Sequence, residues 1–258
     1  MKFGKAPIVE AIIDIRVAPR PDASAAEIAV GFSEVAEEFP LREETPAERR
    51  IEFRFGPEGV GPVNAGPILG GFRYTDATKR QIVQASRENF VFSLLPPYDR
   101  WEDFCGRARP LWERYRDTWR PLQITRVAVR YVNQFVLPLE KDARFWGDNF
   151  TILPGSFREE ILPGPQALGD FHLNMVLPQA DIEAWGIVNF GTLPTKNLKE
   201  ISVVLDIDVF RENLALEPTD DRTLWMILET LRHRKNDLFR ASLTKEREEA
   251  LEPLEENP

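Results

Sequence analysis

The sequence predicts an α+β fold of two similar halves, each roughly β-α-β(3-4)-α, forming antiparallel sheet with long helices packed on one face. Three observations predict it. Ile8 to Val17 and Gln123 to Leu137 both alternate apolar and polar residues over a long run. Two stretches, Trp101 to Trp119 and Leu224 to Ser242, carry apolar residues at helical spacing. The order of elements before Pro121 is repeated in outline after it. The expected units are 1–120, 121–244 and an acidic tail, 245–258, that frays into disorder.

In Ile8 to Val17, Val9, Ala11, Ile13, Ile15 and Val17 share one side. Glu10, Asp14 and Arg16 share the other, with Ile12 among them. This is the pattern of a half-buried strand. Ser24 and Glu27 then stand at capping-box spacing before a stripe of Ala25, Ile28, Phe32, Val35 and Phe39. Pro40 ends that helix. Arg50 to Phe55 alternates again, and Gly56 to Gly71, rich in glycine and proline, reads as a long loop. Phe72–Thr75, Gln81–Ser86 and Phe90–Leu95 read as three strands joined by turn segments.

Pro96-Pro97 breaks the sheet, and Asp99 with Glu102 starts a helix. Trp101, Phe104, Cys105, Ala108, Trp112, Tyr115 and Trp119 form its stripe, with a kink or break expected near Arg107 because Pro110 lies inside. Gln123 to Leu137 follows as the central strand, Val127, Val129, Tyr131 and Phe135 on one side and Arg126 and Arg130 on the other. Phe145 to Leu162 reads as irregular with one or two short helices. Phe171–Leu177, Ile182–Thr192 and Ile201–Phe210 read as strands. Thr219 or Asp220 caps a last helix with the stripe Leu224, Ile227, Leu228, Leu231, Leu238 and Ser242.

Composition narrows the function classes. At 258 residues and 43% hydrophobic the chain can bury a sizeable core, and no stretch reads as a membrane span. A single cysteine, Cys105, rules out an internal disulfide framework, and the opening MKFGKAPIVE lacks a signal-peptide pattern, so a cytoplasmic location is expected. The net charge of −9 argues against nucleic acid as a partner. GxxxxGK[ST], GxSxG and HExxH are all absent. No cofactor is implied.

The remaining candidates lie on the polar side of the strands. Glu10 and Asp14 share one face of their strand, as Arg126 and Arg130 do on theirs, so acid meets base if the two strands are neighbours. Asn133 and His172 complete the candidate ligand or partner face, with Asn174 sharing the side of His172. Asp206 and Asp208 are candidates for a Mg²⁺ site with a third carboxylate such as Glu10. The ordinary reading of such a face is cross-strand ion pairs, each contributing about 0.2–1 kcal/mol. The sharper reading is a surface that binds a charged ligand or a partner. Saddle-like and helix-grip folds share the layout, but an analogy of fold carries no function.

Four segments taken together, APIVEAIIDIRV, FVFSLLPPYDRWEDF, ITRVAVRYVNQFVLP and LDIDVF, resemble a sporadically distributed family of uncharacterised bacterial and archaeal proteins of about this length. Pro7 with Glu10, Tyr98 with Trp101, and the set Thr125, Arg126, Arg130, Tyr131 and Asn133 carry the resemblance. It implies no activity and no catalytic residues. The patchy distribution implies an accessory setting such as defence or toxin–antitoxin loci. The expected function is a protein-partner-binding or self-associating module. The alternative is an enzyme, or a binder of small anions or nucleotides, that uses the polar sheet face.

Overall fold

The computed structural model describes residues 2–22, 25–46, 54–56, 59–61, 69–98, 100–138, 145–152, 170–197 and 199–254. Along the chain the elements are β1 (Lys2–Phe3), β2 (Ile8–Ala18), α1 (Ala25–Gly31), β3 (Leu41–Pro46), β4 (Arg54–Gly56), β5 (Gly59–Gly61), β6 (Leu69–Thr75), β7 (Gln81–Ser86), β8 (Asn89–Leu94) and α2 (Trp101–Trp119). After them come β9 (Gln123–Pro138), α3 (Phe145–Asn149), β10 (His172–Gln179), β11 (Ala184–Leu193), β12 (Glu200–Leu216), α4 (Asp221–Ala241), α5 (Lys245–Ala250) and β13 (Pro253–Leu254). The expected strand at Ile51 and Phe53, the caps Ser24 and Asp99, and much of the segment after Ile152 lie outside the described residues.

The expected pair of similar halves is not what forms. One nine-stranded antiparallel sheet dominates, in the order β10-β11-β12-β9-β2-β8-β7-β6-β3. β2 and β9, assigned to different halves, are bonded neighbours in mid-sheet. Of the five described helices, three have seven residues or fewer. The physical reason lies in the two long strands. Left at the border between separate units, each would keep a row of unpaired amides and carbonyls. Pairing satisfies both rows and carries the sheet across Pro121.

Period-two alternation places the core. Ala11, Ile13 and Ile15 of β2, Val127, Val129 and Tyr131 of β9, and Val203, Leu205 and Ile207 of β12 are all buried on one side. Helical aromatics meet that side. Phe104 of α2 stacks on Phe92 at 5.3 Å, Trp112 and Tyr115 reach Phe90, and Phe32, just past α1, stacks on Tyr74. Phe150, just past α3, touches Phe135 and Phe190, while Phe239 of α4 stacks on Phe135. This side is the inner face; the other is the outer face.

α2 runs as one helix through Pro110, so the break expected near Arg107 does not occur. Pro110 lies on the exposed side. Gly106, four residues back, is exposed as well, so the carbonyl freed there faces water. The tail from Lys245, expected to fray, forms structure as far as Leu254. Thr244 caps α5 by accepting the Arg247 amide, Leu251 is buried, and β13 pairs with β1. Among the described residues no helix is long and apolar enough to cross a membrane.

Candidate functional site

Register brings the polar residues together on the outer face. Arg130 of β9 stands opposite Asp208 of β12 and Ile12 of β2. One step along, Val132 stands between Asp206 and Glu10; one step the other way, Ala128 stands between Phe210 and Asp14. A long side chain on β9 therefore reaches diagonally to either neighbour.

Arg126 bridges three strands. Its Nη1 donates to Asp14 Oδ2 at 2.5 Å and its Nη2 to Asp208 Oδ2 at 2.8 Å. Its guanidinium lies over the Phe210 ring, 4.3 Å from the centroid. Arg16 adds a longer contact to Asp14 at 3.3 Å. Arg130 makes a two-pronged contact with Asp206, Nε to Oδ1 at 2.8 Å and Nη2 to Oδ2 at 2.7 Å. Asn189 Nδ2 donates to the same Asp206 oxygen at 3.1 Å, and Asn174 donates to Asn189. The chain of bonds thus crosses β9, β12, β11 and β10.

Arg126 is one cation shared by two carboxylates. Asp14 Oδ1 and Asp208 Oδ1 are buried without a hydrogen-bond partner among the described residues. Burial first, and the nearby Asp14 charge, push the Asp208 carboxyl above its ordinary pKa, against the pull of Arg126. The Asp206 hydrogen bond raises the Arg130 guanidinium further. Arg130 keeps 46% of its side chain exposed, whereas Asp206 keeps 8%.

The candidate residues are only partly gathered. Asp14 meets Arg126, as acid meeting base across adjacent strands would have it. The Glu10 side chain makes no hydrogen bond among the described residues and contributes only its charge to Arg130, whose partner is Asp206. Asn133 is on the opposite face, buried and donating to the Leu205 carbonyl at 3.0 Å. Its number differs from Arg130 by an odd step, so it points inward. His172 is exposed on β10, in the row of Gly191 and Val204, away from both arginines. Asp206 and Asp208 are each engaged by arginine rather than turned toward one shared point, and no group of three metal-ligating side chains converges among the described residues.

Two participants are absent from the sequence reading. Phe210 shares its side of β12 with Asp206 and Asp208, so counting by two would have placed it. Lys235 is buried on the inner face, its Nζ 3.6 Å from the centroid of the Tyr131 ring. It falls four residues after Leu231 and seven after Leu228, on the apolar stripe of α4, which was its available signal.

No family model matches the chain, and no curated protein matches it.

Proposed function

We propose that the chain is a protein-binding module whose working surface is the outer face of β9, β12, β11 and β10. The observation that carries the proposal is an apolar patch beside the ion network. Val176, Ile187 and Asp208 share one cross-strand row, and Pro178, Trp185 and Phe210 share the next. Val176 is 55% exposed and Trp185 39% exposed. At the far end of the same face, Val136 and Leu193 flank Ser202 and are also exposed. The two long helices, α2 and α4, lie against the inner face. Apolar groups flanking a band of paired charges, with a tryptophan and an arginine among them, have the composition of a protein-recognition surface.

The small-anion reading has weaker support. Two of the three guanidinium nitrogens of Arg130 already serve Asp206, and Asp206, Asp208 and Glu10 surround it with negative charge. An incoming phosphate or carboxylate would meet repulsion there. The accessory, defence-type setting belongs to the proposal and rests on the resemblance of the four segments.

The test is affinity co-purification from the protein's own cells with quantitative mass spectrometry, comparing wild type, Trp185→Glu and Met226→Glu. Met226 is an exposed apolar residue on α4. A partner enriched by wild type and Met226→Glu, and lost with Trp185→Glu, supports the proposal. Equal recovery by both variants would remove the outer face from consideration.

A further inference from the structure

The two edges of the sheet differ in their protection. β3, LREETP, carries Arg42, Glu43 and Glu44 and ends at Pro46. Charges and a proline are what keep an edge strand from pairing with another chain. β10, HLNMVLPQ, forms the other edge and has no Asp, Glu, Lys or Arg.

Register shows which backbone groups β10 turns outward. The Thr192 amide donates to the Phe171 carbonyl, so Phe171 and Thr192 form a hydrogen-bonded pair. In an antiparallel ladder such pairs recur every second residue. Leu173–Phe190, Met175–Val188 and Leu177–Gly186 are then the bonded pairs with β11. His172, Asn174 and Val176 point both N–H and C=O away from the sheet, and Pro178 offers only its carbonyl. Among the described residues no strand pairs with that side of β10.

We propose that a second copy of this chain pairs there, β10 antiparallel to β10, across a two-fold axis through Asn174. Outward residues must face outward residues. A centre at Asn174 sets Asn174 against itself and His172 against Val176 of the second copy, in both directions, so every outward N–H finds a carbonyl. A centre at Val176 would set Asn174 against Pro178, which has no N–H to give. No like charges meet at the axis, which a symmetric interface requires because each group near it faces its own copy. On the inner face Leu173 and Met175, half-buried in the single chain, would cover one another's exposed flanks. This inference is independent of the outer-face reading and survives its failure.

The experiment uses the full chain. Sedimentation velocity over a concentration series should show a monomer–dimer equilibrium. Under mild oxidation Asn174→Cys should form a disulfide-linked dimer, because Cα atoms of a bonded antiparallel pair lie about 5.5 Å apart, within disulfide reach. His172→Cys, displaced from the axis, should not. The chain's own Cys105 is buried and does not compete. Val176→Pro removes an amide that β11 does not use, so it should weaken the dimer about tenfold or more while circular dichroism stays unchanged. If Val176→Pro disturbs the fold, the cysteine pair decides. A strict monomer at every concentration, equal cross-linking by both cysteines, or no cross-linking by Asn174→Cys overturns the proposal.

Discussion

On the outer side of β9, Arg126 sits between Asp14 and Asp208, and Arg130 grips both oxygens of Asp206. On the inner side of the same strand Lys235 reaches the Tyr131 ring and meets no carboxylate among the described residues. Lys235 is only 7% exposed. Burial, with help from the charge of Arg232, pulls its amine down to about 7. Both faces therefore hold basic side chains away from bulk water by different means. Arginine, which cannot shed its proton, is matched with anions. Lysine, which can, is left against an aromatic ring where its charge is optional. Around it Tyr98 and Tyr131 share a hydrogen bond between their hydroxyls, and burial raises the pKa of both.

The largest break in that comparison is Arg126→Ala. It leaves Asp14 and Asp208 side by side with no shared cation. Loss of one partner from a largely buried ion network costs about 3–5 kcal/mol, readable as a fall in the denaturant midpoint. Lys235→Met acts in the opposite direction. Between pH about 7 and about 10.5 the unfolded lysine holds a proton that the folded one has released, so wild-type stability rises with pH through that window. Below it both states are protonated and the full cost of burying the charge is present. Lys235→Met should gain roughly 2–3 kcal/mol near pH 6, after loss of the ring contact, and its advantage should shrink toward pH 10. Denaturant melts of both proteins at several pH values would show the two curves converging.

Smaller changes sharpen the contrast. Arg130 is half in water but its partner Asp206 is buried, so Arg130→Gln should cost about 1–3 kcal/mol, less than Arg126→Ala. Tyr98→Phe removes the hydroxyl bonded to Tyr131 and should cost about 1 kcal/mol, visible as a lower midpoint of thermal unfolding. Asp208→Asn should be the mildest, within about 0.5 kcal/mol of wild type at neutral pH. It relieves the competition of two carboxylates for Arg126 and offers a neutral group where burial disfavours the charge. A loss as large as that of Arg126→Ala would show that the Asp208 charge itself holds the network.

The strands themselves were legible because period two is written in local residues. β7 begins at Gln81 and ends at Ser86 as its alternation implies, and the facing of Arg126 and Arg130 follows from β9 alone. Partnership was less so. That Arg130 takes Asp206 rather than Glu10 depends on β12 and β2 flanking β9 with their particular stagger, including the register shift between Ile8 and Glu10. Nothing within the segment around Arg130 encodes that order. Asn133 and Lys235 are different cases. Parity and helical spacing place both on the inner side, and residue type argued otherwise. The similarity of the two halves rested on the succession of elements, which cannot show that β2 and β9 join into one sheet.

The claim that the outer face does the work and the inner face holds the fold is open to one direct measurement. Side chains would be labelled with hydroxyl radicals in an extract of the protein's own cells and, separately, in buffer. Protection in the extract at Trp185, Val136 and Leu193, with none at Met226 of α4 or Val30 of α1, both exposed apolar residues, is the predicted result. Protection of Met226 or Val30 with the outer face labelled as fully as in buffer would contradict it.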